Sequence, residues 1–283
     1  MQPAQTALDA DWLGACRRAT AGLRGVFGNH PTTRERAVEV GVGQSGDRSL
    51  VIDRDAEAVV FAELESMQAQ GHRFCAVSEE RGEVDFGDSG VRVVIDPIDG
   101  SLNAKRGVGH YSLSIAVADG PTMADVVFGY VYDFGPGEEW VGTRGGGAWL
   151  NGERLDSNAP ERRTAAGKLE IVGIEQADPR LIAESIDALV TVAHRLRAVG
   201  SIAVSLCQVA AARFDGAASL RNCRSFDAAA AQLIVREAGG VVAFPAYPDP
   251  LGAPLDLLPH SPVLAARTAQ GLVELCGVPG QHS

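Results

Sequence analysis

Basic residues are scarce in this 283-residue chain: 25 Lys plus Arg stand against 36 Asp plus Glu, a formal net charge of -11. A surface of that sign repels a nucleic-acid backbone or an anionic membrane at long range, so neither is expected as a general partner. Cysteine is sparse as well. Cys16, Cys75, Cys207, Cys223 and Cys276 are odd in number, scattered, and never in a Cys-x-x-Cys spacing, which removes the usual signatures of zinc binding and dithiol redox chemistry. They read as reduced, mostly buried thiols. The six histidines include no pair at helical ligand spacing, so neither a histidine metal site nor a Ser-His-Asp triad is expected. No apolar run approaches the roughly 18 to 20 residues that cross a bilayer, and Met1 to Trp12 has neither the basic start nor the apolar core of a secretory leader. The chain is expected to be cytoplasmic.

What is present, 46% hydrophobic and 22% charged residues, is the composition of a globular protein with one large domain or two smaller ones. Trp12, Ala15, Cys16, Ala19 and Leu23 share one face of a helix over Asp11 to Phe27. A Gly-rich polar loop, Gly41 to Ser49, precedes a second helix, on which Ala56, Val59, Val60, Leu64 and Met67 recur at helical spacing and Asp53 complements the N-terminus. Gly71 ends it. Short segments rich in β-branched residues follow: Phe74 to Val77, Val91 to Ile95, Tyr111 to Ala118, Asp125 to Tyr132 and Glu139 to Thr143, expected as a meandering, largely antiparallel sheet.

The polar stretch Asp156 to Thr164 marks the expected boundary between an N-terminal α+β half, 1-158, and a C-terminal α/β half, 159-283. Beyond it strand and helix alternate: strand Leu169 to Gly173, helix Pro179 to Val190, strand Arg195 to Val199, helix Ser201 to Ala212, strand Phe214 to Leu220, helix Asp227 to Ala238, strand Val241 to Phe244. The expected fold class is α+β / α/β, a layered sandwich.

The most informative segment is Val93-Val94-Ile95-Asp96-Pro97-Ile98-Asp99-Gly100-Ser101, an apolar strand running into two carboxylates and a Gly-Ser step. Pro97 fixes φ near -65° and forces a turn that brings Asp96 and Asp99 to one side. Two carboxylates held that close repel unless a cation sits between them. Oxygen-only ligands select a hard ion, Mg²⁺ first and Mn²⁺ or Ca²⁺ behind it. Glu79 and Glu80 add acids at the end of another apolar segment. Gly100 and Ser101 offer backbone N-H groups to a phosphate, and the Ser101 hydroxyl with Glu79 could orient and deprotonate an attacking water. Taken alone, Asp-Pro-Ile-Asp-Gly fits a surface turn equally well, Glu79-Glu80 fits a solvated pair, and Asp227, opening an Ala-rich helix, fits a helix-dipole acid.

Together, Glu79-Glu80, Asp96-Pro97-Ile98-Asp99-Gly100-Ser101 and Phe226-Asp227-Ala228-Ala229 resemble the signature of the inositol monophosphatase superfamily, in an order that runs from Asp53 to Glu237-Ala238-Gly239-Gly240. The resemblance implies an α-β-α-β-α sandwich, a magnesium-dependent and lithium-sensitive phosphatase with two or three ions, and a homodimer. It implies that Glu79, Asp96 and the carbonyl of Ile98 hold one metal, that Asp96, Asp99 and Asp227 hold a second, that Ser101 and Glu79 activate water, and that Asp53 orients the Ser101 hydroxyl. Gly100 and Ser101 would bind phosphate, and Gly200-Ser201 would lie beside the polyol. No acid occurs in Ala218-Ser219-Leu220-Arg221-Asn222, where inositol-specific members carry a glutamate. That departure, with Asn103 to Gly107, looks more like the archaeal-type branch acting on both inositol phosphate and fructose 1,6-bisphosphate, with Lys105, Arg106 and Arg221 as contacts for a second phosphate.

The expected activity is hydrolysis of a small polyol or sugar phosphomonoester, inositol 1-phosphate first and fructose 1,6-bisphosphate second. Histidinol phosphate and nucleotide 3'-phosphates follow on the same scaffold. A catalytically silent metal- or phosphate-binding scaffold is the alternative of another class. A structural calcium module fits poorly, because its ligands share one loop whereas these lie 17 positions (79 to 96) and 128 positions (99 to 227) apart.

Overall fold

The computed structural model describes residues 7-42, 48-87 and 90-278. The first half comprises α1 (Trp12–Asn29), α2 (Thr33–Arg36), β1 (Glu39–Val42), β2 (Arg48–Leu50), α3 (Val51–Ala69), β3 (Cys75–Ser78), β4 (Gly82–Asp85), β5 (Arg92–Asp99) and α4 (Ser101–Arg106). It continues through β6 (Ser112–Ala118), β7 (Val126–Asp133), β8 (Glu138–Thr143), β9 (Gly147–Leu150) and β10 (Glu153–Arg154). Asp11 caps α1 by accepting from the Gly14 amide, and the helix buries the apolar stripe read from its sequence, extended by Val26 and Phe27.

The eight-stranded sheet runs β10-β9-β8-β7-β6-β5-β3-β4. Its neighbours are antiparallel except for β3 and β5, so the expected meander is present with one parallel pair. That parallel pair matters for the site, since it delivers the C-terminal ends of β3 and β5 to the same edge, with Ser78 opposite Ile95.

The second half comprises β11 (Leu169–Glu175), α5 (Pro179–Glu184), α6 (Ile186–Val192), β12 (Ala193–Arg197), α7 (Ile202–Ala210), β13 (Gly216–Ser219), α8 (Ser225–Glu237), β14 (Val241–Ala243), β15 (Leu264–Ala266) and α9 (Ala269–Leu275). The single helix expected over Pro179 to Val190 is two, because Ser185 ends α5 and serves as the N-cap of α6. The strands form a five-stranded sheet, β12-β11-β13-β15-β14, parallel around β11 and antiparallel around β15.

Three apolar layers hold the two sheets together. Leu23, Ile52, Val60 and Phe61 of α1 and α3 pack against one face of the larger sheet. The other face packs on α8 and α7, whose Ala228 to Ala231, Leu206 and Val209 also meet the smaller sheet. Leu189 of α6 and Leu275 of α9 cover its far side. The result is the expected α-β-α-β-α sandwich. Ala228, Ala229, Ala230 and Ala231 are fully buried, and their small side chains let α8 lie close to the strands, which places its N-terminus beside the end of β5.

Candidate active site

Residues three apart on a regular strand point to opposite faces. On β5 they do not, because the pairing register slips between Asp96, opposite Ser114, and Asp99, opposite Ser112. The extra residue is a bulge around Pro97 and Ile98, where a missing N-H donor is tolerated, and it reverses the parity so that Asp96 and Asp99 face one way. The expected turn is therefore a bulge within the strand, with the Ile98 amide donating to Asp96 Oδ1 at 2.9 Å.

Three elements converge there. Asp96, Asp99 and Asp227 each present an oxygen within 4.8 Å of the others. Asp96 is 2% and Asp99 7% exposed. Asp227 sits in the first turn of α8, and its Oδ2 accepts from the Arg224 amide at 2.8 Å. Asp99 lies on the start of α7: its Oδ2 accepts from the Ala203 amide at 2.8 Å and the Ser201 hydroxyl at 2.5 Å. Two helix N-termini thus favour negative charge at the cluster. Glu79 follows β3 and so stands next to the end of β5, where its Oε1 accepts from Arg224 Nη1 at 3.3 Å.

Burial, and then the neighbouring carboxylates, push Glu79, Asp96 and Asp99 above the usual carboxylate range: Glu79 feels Asp227, Asp96 feels Glu79 and Asp99, and Asp99 feels Asp227. Like charges packed this tightly are what a divalent cation relieves, and an all-oxygen donor set with no thiolate or imidazole suits a hard ion. The residues fit a metal site.

The cluster opens into a cleft of about 770 Å³ whose wall includes Asp99, Asn103, Glu175, Gly200, Arg221, Arg224 and Asp227. Gly100 and Ser101 stand between Asp99 and Leu102, both on that wall. Gly100 has φ +89°, the left-handed region open to glycine.

Several of the expected site residues make contacts other than the expected ones. Asp53 was to orient Ser101, yet no hydrogen bond joins them: Asp53 Oδ2 accepts from the Leu50 amide at 3.0 Å, closing the N-terminus of α3 as the sequence suggested. Its Oδ1 is buried and unpartnered, and burial lifts its carboxyl to about 6. Ser201 was to touch substrate, but its hydroxyl is spent inside the fold, donating to Asp99 and accepting from the Val204 amide at 3.1 Å as the N-cap of α7. Gly200 alone of that step reaches the cleft. Of the three expected second-phosphate contacts, Arg221 lines the cleft, held by Asp178 at 3.2 Å, whereas Lys105 and Arg106 do not. They occupy the last turn of α4, and the Lys105 charge acts on Asp53 instead. Of the loop Gly41 to Ser49, residues 43-47 lie outside the described residues.

Sequence reasoning missed Glu175. The strand was read as ending at Gly173, whereas β11 continues to Glu175, a 3% exposed carboxylate on the cleft wall. Its signal was an acid at the end of an apolar strand, the same signal that singled out Asp96.

The model of the inositol monophosphatase family matches residues 8-276. A fructose-1,6-bisphosphatase/inositol-1-monophosphatase of Thermococcus kodakarensis is 36% identical over 211 residues, covering 74% of this chain and 75% of that protein. One of the same description from Methanothermobacter thermautotrophicus is 31% identical over 277 residues, covering 93% of each. The crystal structure of the extragenic suppressor protein SuhB from Bartonella henselae superposes with a TM-score of 0.78 at 23% identity, covering 96% of this chain and 100% of that one, and so shares the fold. The family match over residues 8-276 establishes that this chain belongs to the inositol monophosphatase family.

Proposed function

We propose that this chain is a Mg²⁺-dependent phosphomonoesterase of small polyol or sugar phosphates, with inositol 1-phosphate the first substrate and fructose 1,6-bisphosphate the second. The observation that carries the reading is the convergence of Asp96, Asp99 and Asp227 within 4.8 Å, two of them on the wall of a cleft large enough for a sugar phosphate. Glu79, Asp96, the Ile98 carbonyl, Asp99 and Asp227 are the residues that would hold the ions. Bound divalent cations supply charge neutralisation for the phosphate and for the oxygens that enter and leave it.

The remaining roles fall to the chain itself. The amides of Gly100 and Ser101 bind a phosphate oxygen, and the Ser101 hydroxyl with Glu79 takes the proton of the attacking water. A water oxygen-phosphorus bond forms as the ester oxygen-phosphorus bond breaks, the proton ends on the leaving alkoxide, and an alcohol and inorganic phosphate result without a phosphoenzyme. Sensitivity to Li⁺ and a homodimeric state belong to the same reading.

Arg221 and Arg224 on the wall favour the bisphosphate as second substrate, since a guanidinium matches a second phosphate and neither replaces the ring-hydroxyl-binding acid of inositol-specific enzymes. The test is phosphate release from inositol 1-phosphate, fructose 1,6-bisphosphate, histidinol phosphate and adenosine 3',5'-bisphosphate with MgCl₂, with and without LiCl. One strongly preferred, lithium-inhibited substrate is expected, and no release from any of them sinks the reading.

A further inference from the structure

A further buried carboxylate beside Glu79, Asp96, Asp99 and Asp227 adds repulsion, so Glu175 must supply something a neutral residue does not. Its Oε2 accepts from the Gly200 amide at 2.9 Å, and its Oε1 from the Val199 amide at 3.0 Å and the Ser205 hydroxyl at 2.5 Å. A carboxylate can accept at both oxygens, whereas a glutamine presents a donor at one end and would face an N-H group with another. The loop is gripped from its other side by Asn103, whose Nδ2 donates to the carbonyls of Val199 at 2.8 Å and His110 at 2.9 Å. Gly200 has φ +85°, and a β-carbon there would stand 2.7 Å from Asn103 Nδ2, so the loop is fixed tightly between the two side chains.

The next residue along is Ser201, which donates to Asp99 Oδ2 and caps α7. The Ala203 amide of that helix bonds the same oxygen. Both anchors of Asp99 therefore lie within four residues of the segment that Glu175 holds, and both use Oδ2.

We infer that Glu175 is a positioning residue which, by clamping Val199 and Gly200 against Asn103, sets Ser201 and the start of α7 on Asp99 Oδ2 and so leaves Asp99 Oδ1 as the oxygen that would be available to a cation. The inference rests on the metal-dependent reading above. It is distinct from a packing role for Glu175, because it routes the effect through the two anchors of Asp99 Oδ2, of which the Ser201 hydroxyl is the one a substitution removes.

A double-mutant cycle on Mn²⁺ binding, followed by titration calorimetry with MnCl₂ on the full chain, tests it. Glu175→Gln and Ser201→Ala are each expected to weaken Mn²⁺ binding by about tenfold, the scale on which outer-sphere partners act on metal affinity. The double variant is expected to match the weaker single within about twofold, since both remove the same restraint. Multiplied effects, about a hundredfold, overturn the inference, as does a Glu175→Gln variant that binds like the parent. If Glu175→Gln does not fold, Ser205→Ala replaces it in the cycle with a loss on the order of threefold and the same non-additivity. A parent chain that binds no Mn²⁺ overturns the functional reading and this inference together, whereas normal parental binding with an additive cycle overturns the clamp alone.

Discussion

The carbonyl oxygen of Gly200 stands 2.9 Å from the point where a β-carbon on Gly100 would sit, and the His110 carbonyl stands 3.1 Å from it. The turn expected to bind phosphate and the loop of the C-terminal half thus touch backbone to backbone. Gly100→Ala meets both that contact and a left-handed φ, and is expected to destabilise the fold by about 2 to 4 kcal/mol. Phosphatase activity falls with it. Urea denaturation measures the first and phosphate release the second; a loss below about 0.5 kcal/mol would show that the turn adjusts freely.

Glu57 is buried on α3, where Oε1 accepts from the Ser78 hydroxyl and the Arg81 amide, and burial lifts its carboxyl to about 7. An acid whose folded pKa is raised contributes stability that is full below the unfolded value near 4.5 and is lost as pH rises through 7. Glu57→Gln is expected to flatten the stability profile between pH 5 and 8 by up to about 3 kcal/mol. Parallel profiles for parent and variant count against the assignment.

The same sign holds for the metal-free cluster. Burial followed by the Asp227 charge lifts Asp99 and Glu79 to about 8, so without metal stability is lost as pH climbs from the usual carboxylate range through 8. Cation binding requires the ionised carboxylates, so MgCl₂ is expected to raise the melting temperature over an EDTA control more at pH 8 than at pH 5.5. An equal or reversed increment contradicts a carboxylate metal site.

Arg221 lines the cleft and Lys105 does not. Arg221→Ala is expected to raise KM for fructose 1,6-bisphosphate by about tenfold, the scale of a charge-assisted hydrogen bond, with a smaller change for inositol 1-phosphate. Lys105→Ala leaves both KM values within about twofold. Equal effects of Arg221→Ala on the two substrates would remove the second-phosphate role.

Much of this was legible in the chain because the signals are local. The apolar stripe of α1, the β-branched runs of β6 and β7, and the acid-tipped end of β5 each declare their element within a few residues. What stayed hidden depends on pairing. The parity of Asp96 and Asp99 follows from a bulge that only the β5-β6 register reveals. The diversion of the Ser201 hydroxyl to Asp99 spans 102 positions, and which basic residues line the cleft, Arg221 and not Lys105, depends on how the two halves meet. Strand β15 is three residues long and takes its definition from neighbours β13 and β14, so no periodicity could announce it.

The central claim is that the Asp96, Asp99 and Asp227 cluster makes this cleft a metal-dependent phosphatase. Phosphate release from inositol 1-phosphate and fructose 1,6-bisphosphate in MgCl₂, by the parent and by Asp99→Asn, tests it most directly. The account predicts turnover by the parent that EDTA abolishes, and a loss of at least about 100-fold in Asp99→Asn with the fold retained. Undiminished, magnesium-dependent release by Asp99→Asn would contradict it.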